Sequence, residues 1–157
     1  MTPDRPPHPD DINAVGGRYG TPLLAAAAIG NVKVAALLLK RLPVDIRSAV
    51  MRRTPPHEAA IAGQVEIGKL LLDHGDDVDA RGRGDLNPLH VAVLNGHFEF
   101  TRLRLSHGAN VHVPDVYRET PSKGSGFREI VHLLAEYRAG PAAAPPGFIE
   151  GLFQAVS

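Results

Sequence analysis

The sequence predicts an all-α protein, an α-solenoid of stacked helix-turn-helix repeats joined by hairpin-like loops. Thr or Asn followed by Pro recurs at a constant step of 33 residues, at positions 21, 54, 87 and 120. In the first three units a glycine follows nine residues later, at positions 30, 63 and 96. A constant period of this length is typical of repeat architectures, in which each unit buries its apolar face by stacking on its neighbour.

Each unit is predicted to contain two helices. Thr or Asn caps the free N–H groups of the first helix, and Pro fits its first position because that N–H would have no partner anyway. A short Ala-rich stretch follows, and the glycine ends it in a left-handed conformation. The second helix has apolar residues at i, i+3 and i+4, as at Ile67, Leu70 and Leu71.

The composition excludes several classes of protein. Among 157 residues, 17 are basic and 17 acidic, and a formally neutral chain gives no general reason to expect nucleic acid or an anionic membrane as partner. The absence of Cys excludes disulfides, thiolate metal sites and a Cys nucleophile. No apolar run is long enough to cross a bilayer, and the first residues lack the apolar region of a secretory signal. We therefore expect an intracellular protein, cytoplasmic or nuclear, with no membrane partner.

At these residues the chain resembles the ankyrin repeat, whose pattern is roughly G-x-T-P-L-H-x-A-A-x-x-G-H-x-E-V-V-x-L-L-L-x-x-G-A-D-V-N-A. The second unit reads T-P-P-H-E-A-A from Thr54, and the third reads P-L-H-V-A from Pro88. The resemblance implies stacked helix pairs and a role in protein binding. We expect a flexible Pro-rich leader at 1–10 and a repeat array at 11–139. Within the array, the repeats are expected near 11–46, 47–80 and 81–113, with a degenerate fourth at 114–139. A linker with an apolar segment, a possible capping helix, is expected at 140–157.

Three departures from the pattern affect the expected packing. Gly68 lies inside a helix, where it should cost about 1 kcal/mol relative to Ala. Arg104 occupies a Leu position, so it must extend to solvent, find a carboxylate or weaken the stack. In the fourth unit Gly126 follows Thr120 after six residues instead of nine. We therefore expect the first helix at 122–125 not to form normally and the second to survive at 127–137.

The C-terminal segment is apolar on one helical face. After a linker rich in Pro, Ala and Gly at 140–147, apolar residues occupy positions 148, 149, 152, 153 and 156. Three interpretations stay open. The segment is a capping helix docked on the last repeat, a disordered tail, or a peptide that binds a partner or another copy.

The eight histidines do not form a pattern that predicts catalysis or metal binding. The resemblance places His57 and His90 in the T-P-L-H turn, where the histidine makes local hydrogen bonds. His74 and His107 fall in the last turn of a helix, where positive charge is favourable. No pair of histidines has the spacing of a zinc-protease helix. We therefore expect no catalytic residue, no metal and no cofactor, and hence no enzyme.

The resemblance implies that a partner binds to hairpin tips and first helices, which form a concave surface in such arrays. The contact positions that it implies are Arg18, Ile29, Met51, Arg53, Ile61, Arg81, Arg83, Leu86, Leu94, Asn95 and Tyr117. The hairpins carry more arginines than acids, with Arg18, Arg47, Arg52, Arg53, Arg81, Arg83 and Arg118 against Asp85, Asp115 and Glu119. An apolar floor with an Arg-rich rim suits a protein or peptide with apolar anchors and acidic flanks. The alternative is that the arginines only maintain solubility.

The sequence therefore predicts a non-catalytic protein–protein interaction module, a scaffold or adaptor that is expected to be a monomer. Two alternatives stay open. One is a regulatory or accessory subunit of an enzyme, and the other is a weak binder of nucleic acid or an anionic surface through the hairpin arginines. The zero net charge and the scarcity of aromatic residues count against specific nucleic-acid binding.

Overall fold

The computed structural model describes residues 20–48, 51–121 and 126–139. Their regular structure is helical, and one short 3-10 turn, Arg83–Asp85, lies in a connecting loop. The seven α-helices of these ranges are α1 Pro22–Ile29, α2 Val32–Leu39, α3 Pro55–Ala62, α4 Val65–Asp73, α5 Pro88–Leu94, α6 Phe98–Ser106 and α7 Arg128–Ala139. The expected leader at 1–10 and the segment at 148–156 lie outside the described residues.

The predicted helix starts are confirmed. Thr21, Thr54 and Asn87 are N-cap residues with extended backbones, and each precedes a Pro in the first helical turn. The Leu24 N–H donates to the Thr21 hydroxyl over 3.4 Å, and the His90 N–H donates to the Asn87 side-chain oxygen over 2.9 Å. These side chains satisfy N–H groups that have no partner within the helix, so the Thr/Asn-Pro period does fix where the first helices begin.

The predicted turn glycines are also confirmed. Gly30, Gly63 and Gly96 have φ angles of 84°, 68° and 75°, in the left-handed region that favours glycine. A side chain of the following repeat covers each one closely enough that a Cβ atom there would overlap it. Gln64 covers the first glycine, and His97 and Phe127 cover the other two.

The helices stack in two rows, which confirms the predicted solenoid. The inner row runs α1, α3, α5, and the outer row runs α2, α4, α6, α7, with each helix packed on its successor in the same row. We call α1–α2, α3–α4 and α5–α6 repeats 1, 2 and 3. One apolar cluster joins these three repeats and includes Leu23, Ile67 and Phe100, and a second joins repeat 3 to α7 through Leu89 and Ile130.

The fourth unit keeps its outer helix, as predicted. Helix α7 begins at Arg128 and ends at Ala139, with Ile130, Leu133 and Leu134 buried against repeat 3. The expected loss of the inner helix concerns residues 122–125, which lie outside the described residues. None of the helices in the described ranges is both long enough and apolar enough to cross a membrane.

The glycine inside α4 has a packing reason that helix propensity does not reveal. Gly68 is buried where α4 approaches α6, and a Cβ atom there would lie 2.8 Å from both Leu103 Cδ2 and Phe100 Cε2. Alanine, which the propensity argument favours, therefore does not fit without a shift of α6 side chains.

Candidate binding surface

Large apolar side chains are exposed near the ends of the inner helices. Ile29, the last residue of α1, is 68% exposed, and Leu94, the last residue of α5, is 50% exposed. Between them, Ile61 of α3 is only half-buried and packs against the main apolar cluster. Asn95 follows α5 and is exposed, although its side-chain amide donates to the Val91 carbonyl over 2.7 Å. The predicted apolar floor is therefore exposed to solvent at Ile29 and Leu94, and it is less exposed between them at Ile61.

Three equivalent residues mark the hairpin tips. Arg52, Asp85 and Arg118 follow one another at a step of 33 residues and have φ angles of 51°, 55° and 60°. Non-glycine residues seldom adopt this left-handed conformation, so these positions are turns that recur in each hairpin. All three side chains are exposed, and their charge alternates along the array from positive to negative to positive. The predicted Arg-rich rim thus has an acid at its centre.

Two hairpin arginines connect one hairpin to the next. Arg47 donates from Nη1 to the carbonyl of Arg81, and Arg81 in turn donates from Nη1 to the carbonyl of Pro114 over 2.8 Å. Arg81 also donates to the Asp85 carbonyl over 3.3 Å. Carbonyl groups that a guanidinium satisfies in this way stabilise the hairpin stack, so part of the predicted rim has a structural role as well.

The other predicted contact residues differ in accessibility. Arg53 is half-buried and forms an ion pair with Glu58 over 3.5 Å, and Leu86 is half-buried against the main apolar cluster. Arg83 donates to the Met51 sulfur over 3.4 Å, and both of these side chains are exposed. Tyr117 is 81% exposed. Arg18 lies outside the described residues.

Sequence reasoning placed Arg52 and Arg118 in the rim but not among the contact residues, which included Arg53 and Arg81 instead. The structure gives the tip positions to Arg52 and Arg118. The positive φ that marks a tip is not visible in residue type here, because two arginines and an aspartate occupy it. The constant step of 33 between these residues was the one signal in the sequence that could have grouped them.

His57 connects its own repeat to the next hairpin. Its Nε2 lies 2.9 Å from the Leu86 carbonyl, an acceptor, so Nε2 carries the hydrogen. Its Nδ1 therefore accepts from the Thr54 N–H at 3.3 Å and from the Thr54 hydroxyl at 2.7 Å. Burial lowers the pKa of His57 from 6.5 to about 4, with smaller contributions from Arg104 and other nearby arginines and an opposing one from the Leu86 carbonyl. The residue is a neutral structural element, as the resemblance implied.

His90 repeats this arrangement with one chemical difference. Its Nε2 lies 3.3 Å from the Glu119 carbonyl, and its Nδ1 accepts from the Asn87 N–H over 3.4 Å, but Nδ1 also lies 2.7 Å from the Asn87 side-chain oxygen. That oxygen is identified because the Asn87 amide nitrogen donates to Asp79 over 3.0 Å. Burial again lowers the pKa of His90. The Asn87 side-chain oxygen can only accept a hydrogen bond, so it favours the form of His90 that carries a hydrogen on Nδ1. The Thr54 hydroxyl can itself donate to Nδ1 of His57, so it does not impose this preference.

Three further histidines bind backbone carbonyls. His97 of repeat 3 contacts the Ile61 carbonyl of repeat 2 through Nε2 over 2.8 Å. His74 and His107 contact the carbonyls of Leu70 and Leu103 at the ends of α4 and α6, over 2.8 and 2.9 Å. Their Nδ1 atoms donate to carbonyl groups in the last turn of each helix, where the Leu70 carbonyl also accepts the His74 N–H and the Leu103 carbonyl also accepts the Ser106 hydroxyl.

A buried ion pair joins repeat 2 to repeat 3. The guanidinium of Arg104 in α6 and the carboxylate of Asp76, just after α4, meet over 2.5 Å with side chains 0% and 4% exposed. Arg104 also donates to the Val78 carbonyl over 2.8 Å, while its Nε has no hydrogen-bond partner among the described residues. Burial raises the pKa of Asp76, although the neighbouring Arg104 lowers it. Of the three outcomes expected for Arg104, a carboxylate partner is the one observed.

In the described residues, no group of three or more His, Asp or Glu side chains is arranged to hold a metal ion. Arg47 and Arg81 instead donate to backbone carbonyls of the next hairpin, and Arg104 pairs with Asp76 of the preceding repeat. What the surface offers a ligand is exposed apolar area on the inner row and alternating charge at the hairpin tips.

Comparison with known proteins agrees with this architecture. A family model described as ankyrin repeats in three copies matches residues 7–82 and 23–115. The SMC5-SMC6 complex localization factor protein 1 of Homo sapiens and that of Bos taurus are each 46% identical over 66 residues, which is 41% of this chain and 6% of the relative. Ankyrin repeat and SAM domain-containing protein 6 of Mus musculus is 36% identical over 76 residues, 48% of this chain and 9% of the relative. The chain therefore spans less than a tenth of the length of these curated relatives.

Proposed function

We propose that this chain, which belongs to the ankyrin repeat family, is a non-catalytic module that binds a partner protein or peptide through its inner helices and hairpin tips. The ankyrin repeat is a protein-interaction module, and one relative is named as a localization factor for a protein complex. Our proposal includes a monomeric array in an intracellular setting, cytoplasmic or nuclear, on the sequence grounds given above. It assigns the chain the role of a scaffold or adaptor rather than that of an enzyme.

The observation that carries this proposal is the exposure of Ile29 and Leu94 on the same row of helices. Both are large apolar side chains at the ends of inner helices whose other apolar residues, such as Leu23 and Leu89, are fully buried. Apolar side chains in such positions gain free energy when a partner removes them from water, by about 25 cal/mol for each Å² buried. We therefore assign two apolar anchor sites, one on repeat 1 and one on repeat 3.

The charged hairpins favour a partner with mixed charge around its anchors. Arg52 and Arg118 at the outer tips suit acidic residues, and Asp85 at the middle tip suits a basic one. Arg83 adds a further positive group beside Met51. Charge at the rim contributes more to specificity and to association rate than to affinity, so the apolar anchors should dominate binding.

The test is a selection of ligands followed by substitution of the anchors. The chain is used to select from a phage-displayed library of random linear peptides, and enriched peptides are measured by calorimetry. We expect peptides with apolar residues, acids toward both ends and a basic residue between them, and we expect Ile29→Ser and Leu94→Ser each to weaken binding roughly tenfold, as loss of about 1.4 kcal/mol would do. Enriched peptides that bind these variants as tightly as the original chain would contradict the assignment.

A matched control is available on the outer row. Leu37 of α2 is 62% exposed, similar to Ile29, but lies on an outer helix. The Leu37→Ser variant should bind the selected peptides like the original chain. Weakened binding by Leu37→Ser alone would move the site to the outer row. Tight, strongly salt-dependent binding of generic RNA instead of peptides would favour the nucleic-acid alternative.

A further inference from the structure

The outer helices α2, α4 and α6 share two equivalent positions that are buried or half-buried in the stack. Gly68 of α4 identifies the first position, since it faces Phe100 and Leu103 of α6. Its equivalents Ala35 in α2 and Thr101 in α6 are both fully buried. The second position lies one turn later, where Leu39 and Leu105 are buried and Leu72 is half-buried.

In α7 the same two positions are exposed. Ile130 and Leu133 of α7 are buried at the places of Phe100 and Leu103, which fixes the alignment of α7 with α6 at a step of 30 residues. By this alignment Val131 corresponds to Thr101, and Val131 is 39% exposed. Ala135, which corresponds to Leu105, is exposed as well. Helix α7 therefore has an apolar packing face that no described residue covers.

We propose that residues 148–156 form a capping helix that lies antiparallel to α7 and covers Val131 and Ala135. This segment has its apolar residues at 148, 149, 152, 153 and 156, on one helical face. The opposite face carries polar residues, among them Gln154. A helix of this pattern would bury its own apolar face against α7 and present its polar face to solvent.

The length of chain after α7 fits this return. The residues at 140–147 make a connection of eight, the upper end of the usual length between neighbouring antiparallel helices. Pro141, Pro145 and Pro146 prevent α7 from continuing as a helix through the linker. A nine-residue helix is about 14 Å long and α7 is about 18 Å long, so the segment can lie along α7 without overhang. In this register Leu152 lies near Ala135.

Attachment to α7 favours this occupant over a free one. A short linker holds the segment at an effective concentration in the millimolar range, so even a weak apolar contact is populated. A second copy of the chain or a separate partner must reach the same face from solution. The proposal therefore commits to the intramolecular contact, and the other two occupants become outcomes of the test.

The chain contains no Cys, so engineered cysteines report contacts without background. The full chain is prepared with Ala135→Cys and Leu152→Cys, and disulfide formation in oxidised glutathione is followed at low protein concentration. The matched control combines Ala135→Cys with Gln154→Cys, which places the second thiol on the polar face at nearly the same linker length. We expect the first pair to close within one chain at least about ten times faster, because only Leu152 faces α7.

Three results would overturn the proposal. Equal closure rates for the two pairs would indicate a tail without a fixed contact on α7. Cross-linking between chains but not within them would assign the face to a second copy. If neither pair forms a disulfide, the segment does not lie on α7, and the exposed face at Val131 and Ala135 would be assigned to a separate partner.

A second measurement does not depend on disulfide geometry. Phe153→Ser removes an apolar contact of the proposed helix, and Gln154→Ser is its neighbour on the polar face. We expect hydrogen exchange of the α7 amides to become several-fold faster in the Phe153 variant and to be unchanged in the Gln154 variant. Unchanged exchange in both variants contradicts the capping helix even if the cysteine variants fold poorly.

Discussion

Two junctions between repeats follow one plan with different residues, namely the junction of repeats 2 and 3 and the junction of repeat 3 with α7. At the first, Arg104 of α6 is fully buried and paired with Asp76. At the second, the equivalent positions hold Leu134 and Ala109, which belong to one apolar cluster. An ion pair and an apolar contact therefore occupy equivalent positions at the two junctions. The repeat period fixes where the contact lies but not which residues form it.

The two contacts differ in what a single substitution costs. A buried ion pair has given up the hydration of both charges, and it is compensated only while both partners are present. An apolar pair loses packing area when one side chain is shortened, but no unpaired charge results. The junction of repeats 2 and 3 should therefore be more sensitive to loss of one residue than the junction of repeat 3 with α7.

The largest expected effect follows removal of one partner of the ion pair. Asp76→Ala leaves the Arg104 guanidinium buried without a counter-charge, which should lower the free energy of unfolding by about 3–5 kcal/mol. The measurement is urea unfolding followed by circular dichroism at pH 7.

The matched variant rebuilds the apolar contact at the polar junction. Arg104→Leu combined with Asp76→Ala gives the residues found at the junction with α7, and its stability should lie within about 2 kcal/mol of the original chain or above it. If Asp76→Ala alone costs less than about 1 kcal/mol, the ion pair is not the basis of the difference between the junctions.

The sequence predicted the parts of this array that depend on local rules. The caps at Thr21, Thr54 and Asn87 and the left-handed Gly30 follow from residue type and spacing, and all are observed. The partner of Arg104 could not be derived, because Asp76 is 28 residues away and meets it only through the stacking of α6 on α4.

The candidate surface was predictable to a smaller extent. Exposure of Ile29 and Leu94 follows from their places at the ends of inner helices. The sequence could not separate the hairpin arginine Arg81, which binds the Pro114 carbonyl, from Arg83. That separation depends on the register of one hairpin against the next, which the repeat period does not specify to one residue.

The buried histidines allow a second comparison of the two junctions, because His57 and His90 each connect one repeat to the next hairpin and their protonation makes stability depend on pH. The pKa of His57 is about 4 in the folded chain and 6.5 as the ordinary value, so protons bind the unfolded chain more tightly. This contribution to stability is complete above pH 6.5 and is lost as the pH falls toward 4. The free energy of unfolding should decrease by about 3 kcal/mol over that interval, measured by urea unfolding at each pH.

The caps should determine how far each histidine resists protonation. In a Thr54→Asn variant, Nδ1 of His57 would face an acceptor as Nδ1 of His90 does, so the pKa of His57 should rise. The reverse change Asn87→Thr should lower the pKa of His90. Both are measured by NMR titration of the imidazole C–H signals, and pKa values that do not respond to the exchanged caps would show that burial alone sets them.

The smallest expected effect concerns how closely the outer helices approach at each junction. Helix propensity predicts that Gly68→Ala stabilises α4 by about 1 kcal/mol, whereas the contact with α6 predicts a net loss of about 1–2 kcal/mol, because Phe100 and Leu103 must move. At the junction with α7, Thr101 occupies the equivalent position and is fully buried, so that junction already accommodates a larger side chain. Thr101→Ala is therefore the matched change, and it should cost little more than the methyl group and hydroxyl that it removes. The free energies of unfolding of both variants are measured in urea. If Gly68→Ala is more stable than the original chain, α4 and α6 are not as tightly packed as the glycine indicates, and the two junctions differ only in charge.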